Sequence, residues 1–176
     1  MQYSGAVGDT GKYNITGDLF LGDLALRKWR RLEPSGTLPN SRAAHCAVQI
    51  ELNQMIIFGG AVGGGGLADD NLYVFELKSD DNPMWVPVPV VGTTPGRRYG
   101  HTMGFVRPFL LVFGGNTGTE PVNDVWSLNL EKSPYTWARM ETSSEQPCAR
   151  VYHSAALCSM GSASGMMVIF GGRTTD

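Results

Sequence analysis

The sequence predicts an all-β protein assembled from repeated four-stranded sheets, and three observations carry that prediction. The first is composition. The 176 residues include 23 Gly and 10 Pro, above the roughly 12% that these two residues make up in ordinary domains. Four Trp, six Tyr and seven Phe supply more apolar surface than a disordered chain carries. Many turns and many aromatics together describe short strands in a packed fold. The second is a repeat. Trp29, Trp85 and Trp137 are each followed ten residues later by a proline that opens the pattern P-x-x-R-x-x-H: Pro39-Arg42-His45, Pro95-Arg98-His101 and Pro147-Arg150-His153. The third is the sequel to each histidine, an apolar run ending in Phe-Gly-Gly at Phe58-Gly59-Gly60, Phe113-Gly114-Gly115 and Phe170-Gly171-Gly172. A fixed period of this length marks a repeat architecture.

The elements follow in chain order. Tyr3-Ser4-Gly5 lines up with Phe58-Gly59-Gly60, and Asp18-Leu19-Phe20 followed by Leu24 and Trp29 completes residues 1–33 as the end of a first repeat. That piece is expected to supply the later two strands of a sheet. Residues 34–91 form the second repeat, with strands expected near 43–50, 54–59, 71–77 and 84–91, each bounded by Gly, Pro, Asn, Asp or Ser. Here Asn71-Leu72-Tyr73 precedes Leu77 and Trp85. Residues 92–142 repeat the scheme with Asp124-Val125-Trp126, Leu130 and Trp137, and residues 143–176 open a fourth repeat with two strands. The glycine pairs suit points where a strand turns away with positive φ. Tyr73, Trp85, Trp126 and Trp137 offer large faces to fill the space between sheets. One such sheet cannot bury both faces alone, whereas a stack of copies can.

The double glycine and the spaced Tyr/Trp pair resemble the kelch repeat, one blade of a β-propeller, along essentially the whole chain. The resemblance implies a propeller fragment of about three four-stranded blades, two whole and two half. Two stretches, GTTPGRRYGHTM (92–103) and SPYTWARMETSSEQPCARVYHSAAL (133–157), are similar to the kelch segment of kelch-containing Ser/Thr protein phosphatases of plants and protozoa. That likeness implies a regulatory module beside a catalytic domain holding two metal ions. The phosphatase motifs GDxHG, GDxVDRG and GNHE do not occur here. Gly17-Asp18 and Gly22-Asp23 begin like the first two but continue with Leu-Phe and Leu-Ala, and read as turns flanking a strand. No catalytic, cofactor or metal residue is therefore expected in this chain.

The remaining signals narrow the function. A net charge of −2 argues against general nucleic-acid binding, which rests on a positive surface. No run reaches the roughly 18 apolar residues of a membrane-spanning helix, and the N-terminus lacks a basic and then apolar leader. Three widely spaced cysteines, Cys46, Cys148 and Cys158, suit reduced thiols in the cytoplasm or nucleus, and the sequon at Asn14 then has no role. The recurring Arg42, Arg98 and Arg150 and their histidines read as loop organisers bonded to backbone carbonyls, with one arginine copy also available to a ligand. Gly8-Asp9-Thr10-Gly11-Lys12 lacks the first glycine and the Ser or Thr of a phosphate loop. Gly63–Gly66 reads as a loop, and the basic stretch Arg27–Arg31 as an outer strand with Trp29 turned inward. Asp69-Asp70 and Asp80-Asp81 read as solvated.

Residues that break the repeat point to recognition. Arg97 and Tyr99 flank Arg98, where the other copies hold Ser41/Ala43 and Ala149/Val151, and the loop carrying Asn116 and Glu120 also differs between copies. Candidate partner contacts are thus Arg97, Arg98, Tyr99, Arg42, Arg150, Asn116 and Glu120. The expected role is a protein-interaction module for a protein partner or phosphoprotein substrate. The alternatives are an adaptor or scaffold without a phosphatase, and an enzymatic propeller with a small-molecule site in its central opening. Three blades are fewer than the four to eight that close a propeller. Either a longer chain or a homodimer completing six blades is expected.

Overall fold

The computed structural model describes residues 2–9, 12–79, 82–142, 145–158, 161–163 and 165–175. Fourteen strands lie among them, in four sheets. The first sheet contains β1 (Gln2–Asp9), β2 (Lys12–Asp23) and β3 (Lys28–Leu32). The second places β5 (Cys46–Glu51), β6 (Gln54–Phe58), β7 (Leu72–Leu77) and β8 (Pro83–Val88) side by side, with the two-residue β4 (Ser35–Gly36) parallel to the outer edge of β8. The third contains β9 (Thr102–Val106), β10 (Phe109–Asn116), β11 (Pro121–Asn129) and β12 (Trp137–Met140), and the fourth β13 (Ser154–Leu157) and β14 (Met167–Phe170). All other strand pairings are antiparallel meanders, and an isolated parallel bridge joins Val90 to Tyr135. This is the all-β architecture that the repeat foretold.

Alternation along β6 shows how the sheets hold together. Met55 and Ile57 join Leu19, Leu32, Tyr73, Phe75 and Trp85 in one core, between the first and second sheets. Ile56 and Phe58 join Leu72, Leu110, Val112, Leu128 and Trp137 in another, between the second and third. A strand buried on both faces reads as a continuous apolar run, not as alternation. Each buried Trp is covered by the sheet before it: Trp137 meets Phe58 at 5.8 Å between ring centroids.

Three expectations change here. The first sheet has three strands where residues 1–33 were expected to give two, because Tyr3-Ser4-Gly5 continues into a hairpin arm. Its pairing runs from Gln2↔Phe20 to Asp9↔Lys12, with a register shift between Tyr3 and Gly5. The Phe-Gly-Gly of β10 makes the same shift between Phe113 and Gly115. Trp29 does not turn inward to a core. It is 64% exposed, lying across Gly22, because no sheet among the described residues precedes its own. Leu24, aligned with the half-buried Leu77 and Leu130, is likewise exposed, in the turn between β2 and β3.

A candidate protein-interaction face built on the Phe-Gly-Gly and Arg-x-x-His loops

The conserved geometry of the repeat begins with its backbone. The residue before each repeat histidine is left-handed: Ala44 at φ 52°, Gly100 at φ 62° and Tyr152 at φ 59°. These three form a chain across the sheets, the Gly100 amide donating to the Ala44 carbonyl (2.9 Å) and the Tyr152 amide to the Gly100 carbonyl (2.8 Å). A second row joins each glycine pair to the next arginine, with Gly60 N–H donating to Arg98 O at 2.8 Å and Gly115 N–H to Arg150 O at 2.9 Å. Gly59 has φ 66°, and a Cβ there would lie 2.5 Å from the Arg98 carbonyl oxygen and 2.6 Å from the His101 ring. Only glycine fits a position that combines positive φ with so close an approach.

The arginines fasten these loops. Arg42 is fully buried and donates to the carbonyls of Asn40 (3.1 Å) and Gly59 (3.0 Å). Arg98, 1% exposed, donates to Gly114 O at 2.9 Å and to Pro95 O. Arg150 donates to Cys148 O (3.1 Å) and Gly171 O (2.9 Å). The expected bonds to backbone carbonyls are thus all present for the arginines. The carboxylate partners were not foreseen. Asp69, read from sequence as solvated, accepts from Arg42 at 3.2 Å and from the Tyr73 hydroxyl at 3.3 Å. Asp124 accepts from Arg98 at 2.7 Å and from the Trp126 indole at 2.7 Å. The motif had aligned Asn71 with Asp124. Asp69 takes that role two residues earlier, from the loop before β7, where its other carboxylate oxygen accepts from the Asn71 amide at 3.1 Å. Asp70, also read as solvated, accepts from the Thr94 hydroxyl at 2.5 Å. Asp80 and Asp81 lie outside the described residues.

Electrostatics agree with a structural role. Burial works to raise the Asp124 carboxyl, but hydrogen bonds from Arg98 and Trp126, with the charges of Arg98 and Arg139, hold it below the usual carboxylate range. Burial pushes the His101 imidazole down to about 3, helped by the charges of Arg98, His45 and His153 and opposed by the Phe58 backbone. His153 is lowered by burial and by Arg150, and its Nε2 lies 2.8 Å from the Thr102 hydroxyl. His101 and His153 stand edge-on to Phe58 and Phe113 at 5.4 and 5.1 Å. Burial also pushes the Cys46 thiol up to about 12, with its sulfur donating to His101 O at 2.8 Å. His101, His153 and Cys46 thus stay uncharged near neutrality, while Asp124 stays ionised against Arg98. Among the described residues, no three His, Cys, Asp or Glu side chains are grouped to hold a metal ion.

The candidate contacts therefore divide. Arg42 and Arg98 are interior groups and are removed from the list of surface contacts, since their guanidiniums are spent on carbonyls and carboxylates. Arg150 is half-buried, bonded to backbone and to the Cys148 sulfur. Arg97 is exposed and Tyr99 is half-buried against Tyr152 at 5.9 Å. Asn116 bonds its side chain to the Gly118 amide (2.7 Å). Glu120 is exposed, its carbonyl receiving the Thr117 amide. Sequence reasoning missed two residues of this face. Tyr152 is 56% exposed at a position filled by Ala44 and Gly100 in the other copies. Arg173, exposed, pairs its backbone with Val151 where Ala61 pairs with Ala43 and Asn116 with Tyr99. Comparing copies at every column, not just beside the arginine, finds both.

Comparison with known proteins agrees with this architecture. Residues 3–176 match the family model described as the KLHDC2/KLHL20/DRC7 Kelch-repeats domain. The chain belongs to the kelch-repeat family. It is 37% identical over 162 residues to the serine/threonine-protein phosphatase BSL2 of Arabidopsis thaliana, covering 92% of this chain and 15% of that protein. It is 32% identical over 152 residues to Adagio-like protein 3 of Oryza sativa subsp. japonica, covering 86% of this chain and 23% of the relative. The Rab9 effector protein with kelch motifs of Danio rerio is 29% identical over 106 residues, 60% of this chain and 29% of that protein. The chain thus spans less than a third of the length of each of these relatives.

Proposed function

We propose that this chain is the kelch part of a Ser/Thr protein phosphatase, acting as a non-catalytic module that recognises a protein. The observation that carries the reading is the inequality of its copies. Where the second sheet presents Ser41, Ala43, Ala44 and Ala61, the third and fourth present Arg97, Tyr99, Tyr152 and Arg173, on one backbone frame. Paired aromatics beside unspent guanidiniums are the side chains that dominate binding at protein interfaces. In the phosphatase reading the partner is a phosphoprotein substrate or a regulator, met in the cytoplasm or nucleus, and the two metal ions belong to a catalytic domain outside this chain. Nucleic acid and membrane play no part. The 37% identity over 92% of the chain to a phosphatase supports this reading. The likeness to a Rab9 effector favours the second one, an adaptor or scaffold.

The deciding experiment reads the coding sequence around these residues for GDxHG, GDxVDRG and GNHE. Finding a metallophosphatase domain supports the first reading, and finding a different partner domain overturns it. Pairing of two copies into six blades belongs to the same proposal, supported by Trp29 and Phe170, which are 64% and 80% exposed while their counterparts Trp85 and Phe58 are buried. A sedimentation mass of one chain at micromolar concentration overturns the pairing.

A further inference from the structure

A cleft of about 320 Å³ opens between the second and third sheets. It lies mainly at the strand ends opposite the Phe-Gly-Gly loops, where the β5–β6 and β9–β10 hairpins turn. Near the loops the gap between these sheets is filled by Phe58 and Trp137. Toward the hairpins the facing residues are smaller and more polar. Strand alternation puts Gln54 on the face of Ile56 and Phe58, and Glu76 on the face of Leu72 and Val74. The wall that begins with buried Leu72 therefore ends in a carboxylate, 21% exposed, that accepts from the Gln54 amide at 2.8 Å. The corresponding positions of the third sheet are Phe109 and Asn129. Val74, Val88, Phe105, Leu130 and Tyr135 form the apolar walls.

The charge around this cleft is one-sided. Glu51, Glu76 and Glu131 line it, against Arg107. Arg107 is already engaged, its Nη1 2.9 Å from Glu51 and its Nε 2.7 Å from Glu131. Lys78, at the edge, lies 3.4 Å from Glu76. Arg107 is shared between Glu51 and Glu131, so one carboxylate of that pair remains in surplus, beside apolar walls and a volume at the lower end of the 300–1,000 Å³ typical of ligand pockets. We infer that this cleft docks a segment of a partner protein that carries an apolar side chain next to a lysine or arginine. The apolar group lies against Val74, Phe105 and Leu130 and the cation beside Glu51 and Glu131. This surface is separate from the Tyr99–Tyr152 face, and its test does not depend on the phosphatase reading.

Two fluorescein-labelled peptides, Gly-Ser-Leu-Arg-Leu-Ser-Gly and the same peptide with Glu for Arg, probe the cleft by anisotropy at low salt. The Arg peptide is expected to bind at least tenfold tighter and to shift the amide resonances of Val74, Phe105, Leu130 and Glu131. Glu131→Gln, which leaves Arg107 paired with Glu51 alone, is expected to remove most of that discrimination. Val86→Lys, at the mouth and 37% exposed in the parent, is expected to weaken the Arg peptide about tenfold. Equal affinity for both peptides, no binding of either, or shifts confined to other residues overturns the inference. The resonance map uses the unaltered protein, so it decides even where a variant unfolds. A mass that is doubled in the parent and halved by Val86→Lys makes the occupant a second copy and overturns the peptide proposal.

Discussion

Trp85 and Trp29 occupy the same place in successive repeats, yet Trp85 is 1% exposed and Trp29 is 64% exposed. Each strand comes last in its sheet along the chain and pairs antiparallel with the strand before it, and β8 also carries the short β4 on its outer edge, with Gly36 opposite Trp85. The difference lies in the neighbour. Trp85 shares a core with Leu19 and Leu32 of the preceding sheet, while no sheet among the described residues precedes that of Trp29. In a stack of repeats, stability resides at the interfaces between units as much as within them. A repeat residue acquires its burial from the next copy, and its contribution should differ accordingly.

Truncation breaks the comparison most strongly. Trp85→Ala removes a fully enclosed indole that meets Phe75 at 5.3 Å, a change costing about 3–5 kcal/mol in a core that relaxes only in part. Trp29→Ala should cost less than about 1 kcal/mol, as for an exposed site. Urea denaturation of both variants measures the contrast, and equal losses would mean that the first sheet is covered in solution.

The arginines repeat the lesson one step down. Arg98→Ala leaves Asp124, 14% exposed, without its cation and frees two backbone carbonyls, costing about 3 kcal/mol, the lower end for a broken buried pair. Arg150→Ala, which removes bonds to two carbonyls and the Cys148 sulfur, should cost about 1 kcal/mol. Thermal melts of the two variants at one concentration check the order.

Much of this was legible in the residues. The Phe-Gly-Gly runs, the buried strand β6 and the arginine–carbonyl bonds follow from spacing, because backbone geometry repeats with the sequence. What was not legible depends on contacts between units. Asp69 displaces Asn71 as the acidic partner because the reach of Arg42, not the alignment, selects the carboxylate. The exposure of Trp29 depends on contacts between sheets, and no sheet among the described residues precedes its own, while β1 gains its length from a hairpin arm that the motif does not encode. The cleft beside Glu76 is a property of how two sheets splay, which no single repeat records.

Acid should sharpen the same contrast. His101 sits at the second interface, where burial pushes its folded pKa down to about 3 from the ordinary imidazole value of about 6.5, so the unfolded chain binds the extra proton between those values. Stability is fully present above about pH 6.5 and declines as pH falls toward 3, by up to a few kcal/mol. Asp124 acts in the same sense below the carboxylate range, since its folded pKa is depressed. Urea midpoints from pH 7.5 to 4 should fall for the parent and fall less for His101→Asn, measured relative to that variant's own value at pH 7.5.

Tyr152 separates recognition from architecture, and there the smallest change in stability is expected. Its φ of 59° costs a non-glycine residue about 1–2 kcal/mol, yet Gly100 and Ala44 hold the same conformation without a ring. Tyr152→Gly relieves that strain while gaining chain entropy in the unfolded state, and the two effects nearly cancel, leaving a net change within about 1 kcal/mol. Loss of the Tyr99 contact at 5.9 Å adds little, because the ring is more than half exposed. The backbone chain from Ala44 to Gly100 to Tyr152 should survive, seen as unchanged amide exchange at Gly100 and residue 152. Partner binding should nevertheless fall by at least tenfold, because the aromatic pair is lost while the frame beneath it stays. A variant that unfolds, or one that binds its partner as the parent does, would return Tyr152 to the scaffold and leave Arg97 and Arg173 as the distinguishing groups of this face.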